Sequence, residues 1–133
     1  MSILIYIDTN VYLDFLIKDR PKIFAEEAFR LFNRTLECEF EIILSNKIKT
    51  ELYPSINGKE SALLFEMLMH KLRIMNITDE DMKEAKNLDP INTADALHAV
   101  LAKRGGAKHI ITQNIRHFWK FSALIKPLRP SEL

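Results

Sequence analysis

Five consecutive apolar residues, Ile3 to Ile7, open the chain and stop abruptly at Asp8-Thr9-Asn10. A short run rich in β-branched and aromatic side chains predicts a strand buried on both faces, as in a parallel sheet under helices. From Val11 the apolar positions switch to helical spacing, through Tyr12, Leu13, Phe15 and Leu16. Asp8 therefore stands where a central strand passes into a helix, the edge of an open α/β sheet at which ligands bind. Asp and Asn also cap helices well, so this position alone leaves helix cap and functional site evenly balanced.

The pattern alternates in the same way further along. Pro21, suited to a first helical turn, introduces a helical stretch over 21–40 with an apolar stripe of Ile23, Phe24, Ala28, Leu31, Phe32 and Leu36. A strand follows at Glu39–Ser45, with Ile42, Ile43 and Leu44 buried. Ser45 or Asn46 caps a short helix over Lys47–Tyr53, which Pro54 ends. Residues 55–58 read as a turn and Lys59–Leu72 as a helix. Ile74, Met75 and Ile77 suit a short strand. Thr78 caps a helix over Asp79–Asn87, with acids in its first turn as the helix dipole prefers. A loop holding Pro90 precedes a helix over Ala94–Arg104, capped by Thr93 and stopped by Gly105-Gly106. His109–Thr112 is a strand, a short turn carries Phe118, Trp119 and Phe121, and Leu124–Ile125 suits a last strand. Strands alternating with helices predict an α/β fold: three layers, α/β/α, around a mainly parallel sheet. Right-handed crossovers would bring the carboxyl ends of its strands to one edge.

The length, 133 residues, suits a single domain spanning 1–133. No apolar run approaches the roughly 20 residues of a membrane span, and the opening run lacks a signal peptide's basic flank. The single cysteine, Cys38, excludes an intramolecular disulfide and a multi-cysteine zinc site. It reads as a small apolar residue near a helix end. These features lead us to expect a cytoplasmic protein without membrane association.

Charge changes the picture. Residues 1–95 hold 12 Lys and Arg against 17 acids, whereas residues 96–133 hold 7 against the single acid Glu132. A basic final segment beside an acidic remainder suggests contact with a polyanion, or a tail that pairs with the protein's own acids.

The polar residues next to the predicted strand ends are Asp8, Glu51, Asp95, Thr112 and Asn114. Each acid has an ordinary explanation: a helix-dipole partner for Asp95, a solvent-facing acid for Glu51. Their joint placement at one sheet edge does not. Carboxylates gathered there would repel unless a cation neutralised them. Oxygen donors without Cys/His spacing suit Mg²⁺ or Mn²⁺ rather than zinc. Such an ion orients substrate, acidifies water and stabilises transition-state charge, the equipment of phosphodiester hydrolysis.

Four segments, in order, carry a resemblance: Ile5-Tyr-Ile-Asp8-Thr9-Asn10-Val-Tyr-Leu, Ser45-Asn-Lys-Ile-Lys-Thr-Glu51-Leu, Thr93-Ala-Asp95-Ala-Leu-His-Ala and Ile111-Thr112-Gln-Asn114-Ile-Arg-His-Phe118. The chain resembles the PIN-domain family of metal-dependent ribonucleases, especially small stand-alone members of the VapC-like toxin type. The resemblance implies a Mg²⁺ or Mn²⁺ site on Asp8 and Asp95 with Glu51 beside it, and Thr9 and Thr112 orienting the acids. It places Asn114 where the family often has a fourth acid. Asp89 is a substitute acid on paper but reads better as a loop residue. Arg116 joins Thr9 and Thr112 as a substrate-orienting candidate. His98 reads as a partly buried helix residue one turn from Asp95, with a phosphate contact as the alternative. His117, Trp119 and Phe121 read as packing residues, with base stacking as the alternative.

The expected function is a metal-dependent endoribonuclease with Asp8, Glu51, Asp95 and Asn114 as its catalytic set and RNA held by the basic segment. The resemblance further implies an antitoxin partner and a homodimer built on the 23–36 stripe and the Leu63–Leu68 helix. The amide at Asn114 motivates an alternative, a weakened module that binds RNA or protein without cutting. A phosphatase of the haloacid-dehalogenase kind would need an acid where Asn10 stands. A receiver domain would need paired acids after the first strand. Nucleotide-loop fingerprints are absent, since the chain has only three glycines.

Overall fold

In the computed structural model, the residues described are 2–54 and 58–133. Five strands form one sheet: β1 (Ile3–Ile7), β2 (Phe40–Ser45), β3 (Leu72–Met75), β4 (His109–Ile111) and β5 (Lys126–Leu128). Their order is β3-β2-β1-β4-β5, and every pairing is parallel. β1 lies centrally, with Tyr6 opposite Ile43 on one side and Ile110 on the other. Its last three residues, Ile5, Tyr6 and Ile7, are fully buried, which accounts for the unbroken apolar run.

Among the described residues seven helices connect the strands: α1 (Thr9–Leu16), α2 (Lys22–Leu36), α3 (Asn46–Leu52), α4 (Gly58–Met67), α5 (Asp79–Leu88), α6 (Thr93–Arg104) and α7 (Ile115–Trp119). α1 packs on α2 and α5 packs on α6. From β1 the chain steps outward through β2 to β3, then returns to lay β4 on the other side of β1. Right-handed crossovers then place α1–α4 on one face and α5–α7 on the other. The order reverses between β1 and β4, so their carboxyl ends flank a switch-point crevice. Among the described residues no helix is long and apolar enough to cross a membrane.

Several local expectations shift. The helix expected to run to Leu72 ends at Met67, and a 3₁₀ turn at Met69–Lys71 leads into β3. The third strand accordingly begins at Leu72. The last strand is Lys126–Leu128 rather than Leu124–Ile125, because the preceding turns hold Phe121 and Ile125 in the core. Of the expected turn at 55–58, residues 55–57 lie outside the described residues and Gly58 opens α4. Thr93 does not cap α6. Its hydroxyl donates instead to the carbonyls of Asp89 and Pro90, at 3.0 and 3.2 Å, and Asn92 occupies the cap. Ser45 does cap α3, its Oγ accepting from the Ile48 amide, and Thr78 and Asp81 form a capping box on α5. Cys38 is exposed rather than packed, and takes φ 69° one residue past the α2 C-cap. At the end of α6, a Cβ on Gly105 would lie 2.6 Å from Ile43 Cδ1, so any larger residue would require that side chain to shift.

Candidate active site

Asp8 follows β1 at the N-cap position of α1, yet its side chain makes no capping bond. It is 5% exposed and accepts a 3.0 Å hydrogen bond from Thr112 Oγ1, across the crevice at the end of β4. The balance between cap and site therefore falls to the site. The Thr112 oxygen also accepts from the Asn114 amide, so one hydroxyl links the carboxylate to the start of α7.

Asp8, Thr9, Asn10, Thr50, Glu51, Pro54, Asp95 and His98 line one cleft of about 500 Å³. The three acids expected from sequence thus share a site, delivered by the ends of β1, α3 and α6. Burial pushes the Asp8 carboxyl above its usual range. His98 and Thr112 counter this, and the charges of Glu51 and Asp95 add to it. Among the described residues Asp8 has no Lys or Arg ion pair.

Glu51 behaves oppositely. Burial would raise it, but the hydrogen bonds from His98 and Thr9 and the ammonium of Lys47 hold it well below the usual carboxylate range. Thr9 Oγ1 donates to its Oε1 at 2.5 Å, His98 Nε2 meets the same oxygen at 2.7 Å, and Lys47 Nζ stands 3.3 Å from Oε2. A carboxylate so well satisfied is a poor proton acceptor near neutral pH and a good fixed acceptor.

These residues fit a hard divalent cation at Asp8 and Asp95. Asp8 is a buried carboxyl whose ionised form lacks a compensating cation, beside a second carboxyl, in an oxygen-lined cleft. Among the described residues no three His, Cys, Asp or Glu side chains are gathered tightly enough to cage a metal alone. This suits Mg²⁺ or Mn²⁺, which take one or two carboxylates and fill the rest of their shell with water and phosphate oxygens.

Other candidates fall elsewhere. Asn114 is exposed at the start of α7 and does not line the cleft. Arg116, two residues along, is exposed and enters no ion pair among the described residues. Asp89 is a loop acid: Oδ1 accepts from the Ile91 and Asn92 amides, and Oδ2 pairs with Lys120 at 2.6 Å. Phe118 and Phe121 are buried, while Trp119 is 57% exposed.

The basic final segment is split by the parallel topology. Lys126 pairs in register with His109 at the start of β4, and Lys108 precedes it, so both lie at the sheet edge opposite the cleft. Lys103 and Arg104 end α6, whose first turn carries Asp95, and Arg104 is engaged by Asp81. Of the segment's basic residues, Arg116 and Arg129 follow the carboxyl ends of β4 and β5, on the cleft's side of the sheet, as does Lys120, which Asp89 engages.

Sequence reading missed the depth of His98. It is 2% exposed and bridges Glu51 to the Tyr6 hydroxyl, 2.7 Å from its Nδ1, and Tyr6 meets Ser45 Oγ at 2.9 Å. The one available signal was the three-residue spacing from Asp95, which places both on neighbouring turns of α6.

A buried acid at the switch point of a doubly wound sheet shares a polar cleft with two further acids, an arrangement consistent with a hydrolase. The chain belongs to the PIN-domain family, which matches it over residues 5–122 and whose members are generally nucleases. Solved structures agree in fold. The crystal structure of FitAcB from Neisseria gonorrhoeae superposes with a TM-score of 0.68 at 19% identity, covering 97% of this chain and 99% of that one. VapBC2 from Rickettsia felis, bound to a DNA fragment from its promoter, gives 0.66 at 16% identity, covering 96% and 98%. VapBC-1 from nontypeable Haemophilus influenzae gives 0.62 at 18% identity, covering 97% and 99%. At these identities the likeness is one of architecture. No curated protein matches the sequence.

Proposed function

We propose that this chain is an endoribonuclease that uses Mg²⁺ or Mn²⁺ to hydrolyse RNA phosphodiester bonds, and that it is the toxin of a toxin–antitoxin pair. The observation that carries the reading is Asp8: a buried, uncapping carboxylate facing Asp95 and Glu51 at the switch point, its charge unmatched by any Lys or Arg ion pair among the described residues. Asp8 and Asp95 would hold the ion, which when bound supplies positive charge to the phosphate and acidifies water. Thr112 holds Asp8 in place. Glu51, kept ionised, accepts a hydrogen bond from the attacking water or the ribose and so orients it. Arg116 and Arg129 meet phosphates at the rim. Asn114 lies outside the cleft, and it is its backbone amide that bonds Thr112 rather than its side chain that joins the reacting groups.

The assembled state of the neighbouring VapBC and FitAcB structures supports an antitoxin partner. A groove of about 120 Å³ between α1, α2 and α4, lined by Phe29, Leu36 and Met67, offers it an apolar surface. A homodimer would draw on the same faces, and light scattering of the purified chain tests for it.

Purified protein with Mn²⁺ should cut single-stranded RNA, and Asp8→Asn and Asp95→Asn should each abolish cleavage. Undiminished cutting by both variants overturns the assignment. The exposed amide of Asn114, in place of a fourth acid, favours a second reading, a binding module without chemistry. Calorimetric titration with Mn²⁺ separates the two, since the enzyme binds the ion and the module does not.

A further inference from the structure

The two oxygens of Glu51 stand in different situations. Oε1 accepts two short hydrogen bonds, from Thr9 Oγ1 at 2.5 Å and His98 Nε2 at 2.7 Å. Both donors are buried, at 7% and 2% exposure. Oε2 meets only the ammonium of Lys47 at 3.3 Å, on a long stem one turn away in the same helix. One oxygen is saturated by fixed groups; the other has an exchangeable neighbour, and the residue lines the cleft.

The direction of the His98 bond is set at Glu51, whose ionised carboxylate can only accept, so Nε2 carries a proton. Behind the ring the Ile48 amide donates to Ser45 Oγ at 3.4 Å, and that oxygen lies 2.9 Å from Tyr6 Oη, a contact in which either hydroxyl can donate. Tyr6 then donates to Nδ1 of His98 at 2.7 Å. A neutral imidazole that accepts at Nδ1 carries its proton at Nε2, the atom facing Glu51. Ser45 and Tyr6 are fully buried, so no water competes for these positions. In this sense every donor and acceptor of the chain is used, from the α3 cap to the cleft.

We propose that His98 is a positioning residue of the nuclease site: with Tyr6 and Ser45 behind it, it locks Nε2–H onto Oε1 of Glu51 and so presents Oε2 to the substrate or its attacking water. Lys47 is the replaceable partner, able to leave Oε2 for an incoming phosphate. This inference rests on the nuclease reading of the cleft.

A glutamine amide reaches the place of the imidazole Nε2, whereas an asparagine amide reaches only that of Nδ1. His98→Gln should therefore stay within ~3-fold of the wild-type kcat, while His98→Asn and His98→Ala should lose roughly 10–100-fold in kcat with KM for RNA little changed, the size usual for groups that orient a ligand from behind. Equal losses for Gln and Asn overturn the lock. A second readout needs neither activity nor a variant. Long-range ¹H–¹⁵N spectra of the wild-type His98 ring, without metal, should show a protonated Nε2 and a bare Nδ1, and Tyr6→Phe should mix the tautomers. A ring protonated at Nδ1 with Nε2 bare overturns the proposal. Should the wild-type chain fail to cut RNA with Mn²⁺, the nuclease reading falls, while the ring spectra still decide whether the lock exists.

Discussion

Thr112 Oγ1 donates to Asp8 Oδ2 at 3.0 Å, although 104 residues separate the two in the chain. They end the adjacent strands β4 and β1, on either side of the point where the strand order reverses. A threonine that shows no chemistry of its own thereby becomes, among the described residues, the one hydrogen-bond donor to a buried carboxylate. Its hydroxyl also takes the Asn114 amide, so it fixes both the acid and the rim of the cleft.

The first prediction concerns the cost of keeping Asp8 ionised. Burial, with Glu51 and Asp95 nearby, raises its carboxyl in the folded state. The protonated form is favoured by folding, so its stabilising effect is full below the ordinary carboxylate range and is lost as pH rises through the folded value. Asp8→Asn should therefore be more stable than wild type at pH 7 without metal, with the difference vanishing in acid. Mn²⁺ should stabilise the wild type and leave Asp8→Asn unmoved. Urea titrations with and without the ion check both.

A second prediction follows from the split basic segment. Lys108 and Lys126 lie at the far sheet edge, whereas Arg116 stands on the cleft side. Arg116→Ala should weaken RNA binding and reduce the slope of log K against log salt by about 1, as loss of one phosphate contact does. Replacing Lys108 and Lys126 together should leave both quantities close to wild type. Filter binding across a salt series distinguishes the two outcomes.

Stability should depend on Arg104. Its guanidinium donates to both oxygens of buried Asp81, at 2.9 and 2.8 Å, and to the Asn76 carbonyl at 2.7 Å. Burial would raise the Asp81 carboxyl, but Arg104 and Thr78 hold it below its usual value. Such a depressed carboxyl stabilises above its unfolded value, and that contribution disappears as pH falls through the folded one. Arg104→Ala should cost about 1.5–3 kcal/mol at pH 7, the range for hydrogen bonds to a charged group. The cost should shrink as the pH is lowered below 4, in the carboxylate range. Denaturation at a series of pH values measures it.

Cys38 offers the opposite change. The amides of Cys38 and Glu39 close the end of α2 on the carbonyls of Thr35 and Arg34, at 3.0 and 3.1 Å, with Cys38 at φ 69°. This is the Schellman arrangement, in which the left-handed residue is usually glycine. Cys38→Gly should raise stability by about 1 kcal/mol by removing the Cβ clash. Cys38→Val should lower it, and a shift in the urea midpoint at constant slope checks both signs.

The segments visible in the sequence were those with a strong local cause. Ile5–Ile7 and Ile42–Leu44 are buried on both faces and anchor continuous apolar runs, so β1 and β2 were legible almost to the residue. β5 was not, because its middle residue is Pro127 and it borders only β4. Edge strands carry little apolar signal and tolerate proline. Asp8, Glu51 and Asp95 were legible as candidates, since each sits beside a strand or helix end. That Asn114 does not line the cleft, and that Lys108 and Lys126 stand at the opposite edge, could not be read from order along the chain.

By itself, the sequence determined which segments become strands and helices, because burial on one face or two leaves a periodic record in residue type. It also determined which acids were available for a cation. Tertiary structure alone decided what each acid became. Asp8 was left with a single hydroxyl donor and an unmatched charge, whereas Glu51 was saturated by Thr9, His98 and Lys47. Tyr6, Ser45 and His98 are distant in sequence and become one chain of hydrogen bonds only when β1, β2 and α6 pack together. The physical reason is that a carboxylate's chemistry depends on its desolvation and its donors, and both come from neighbours the local pattern does not encode.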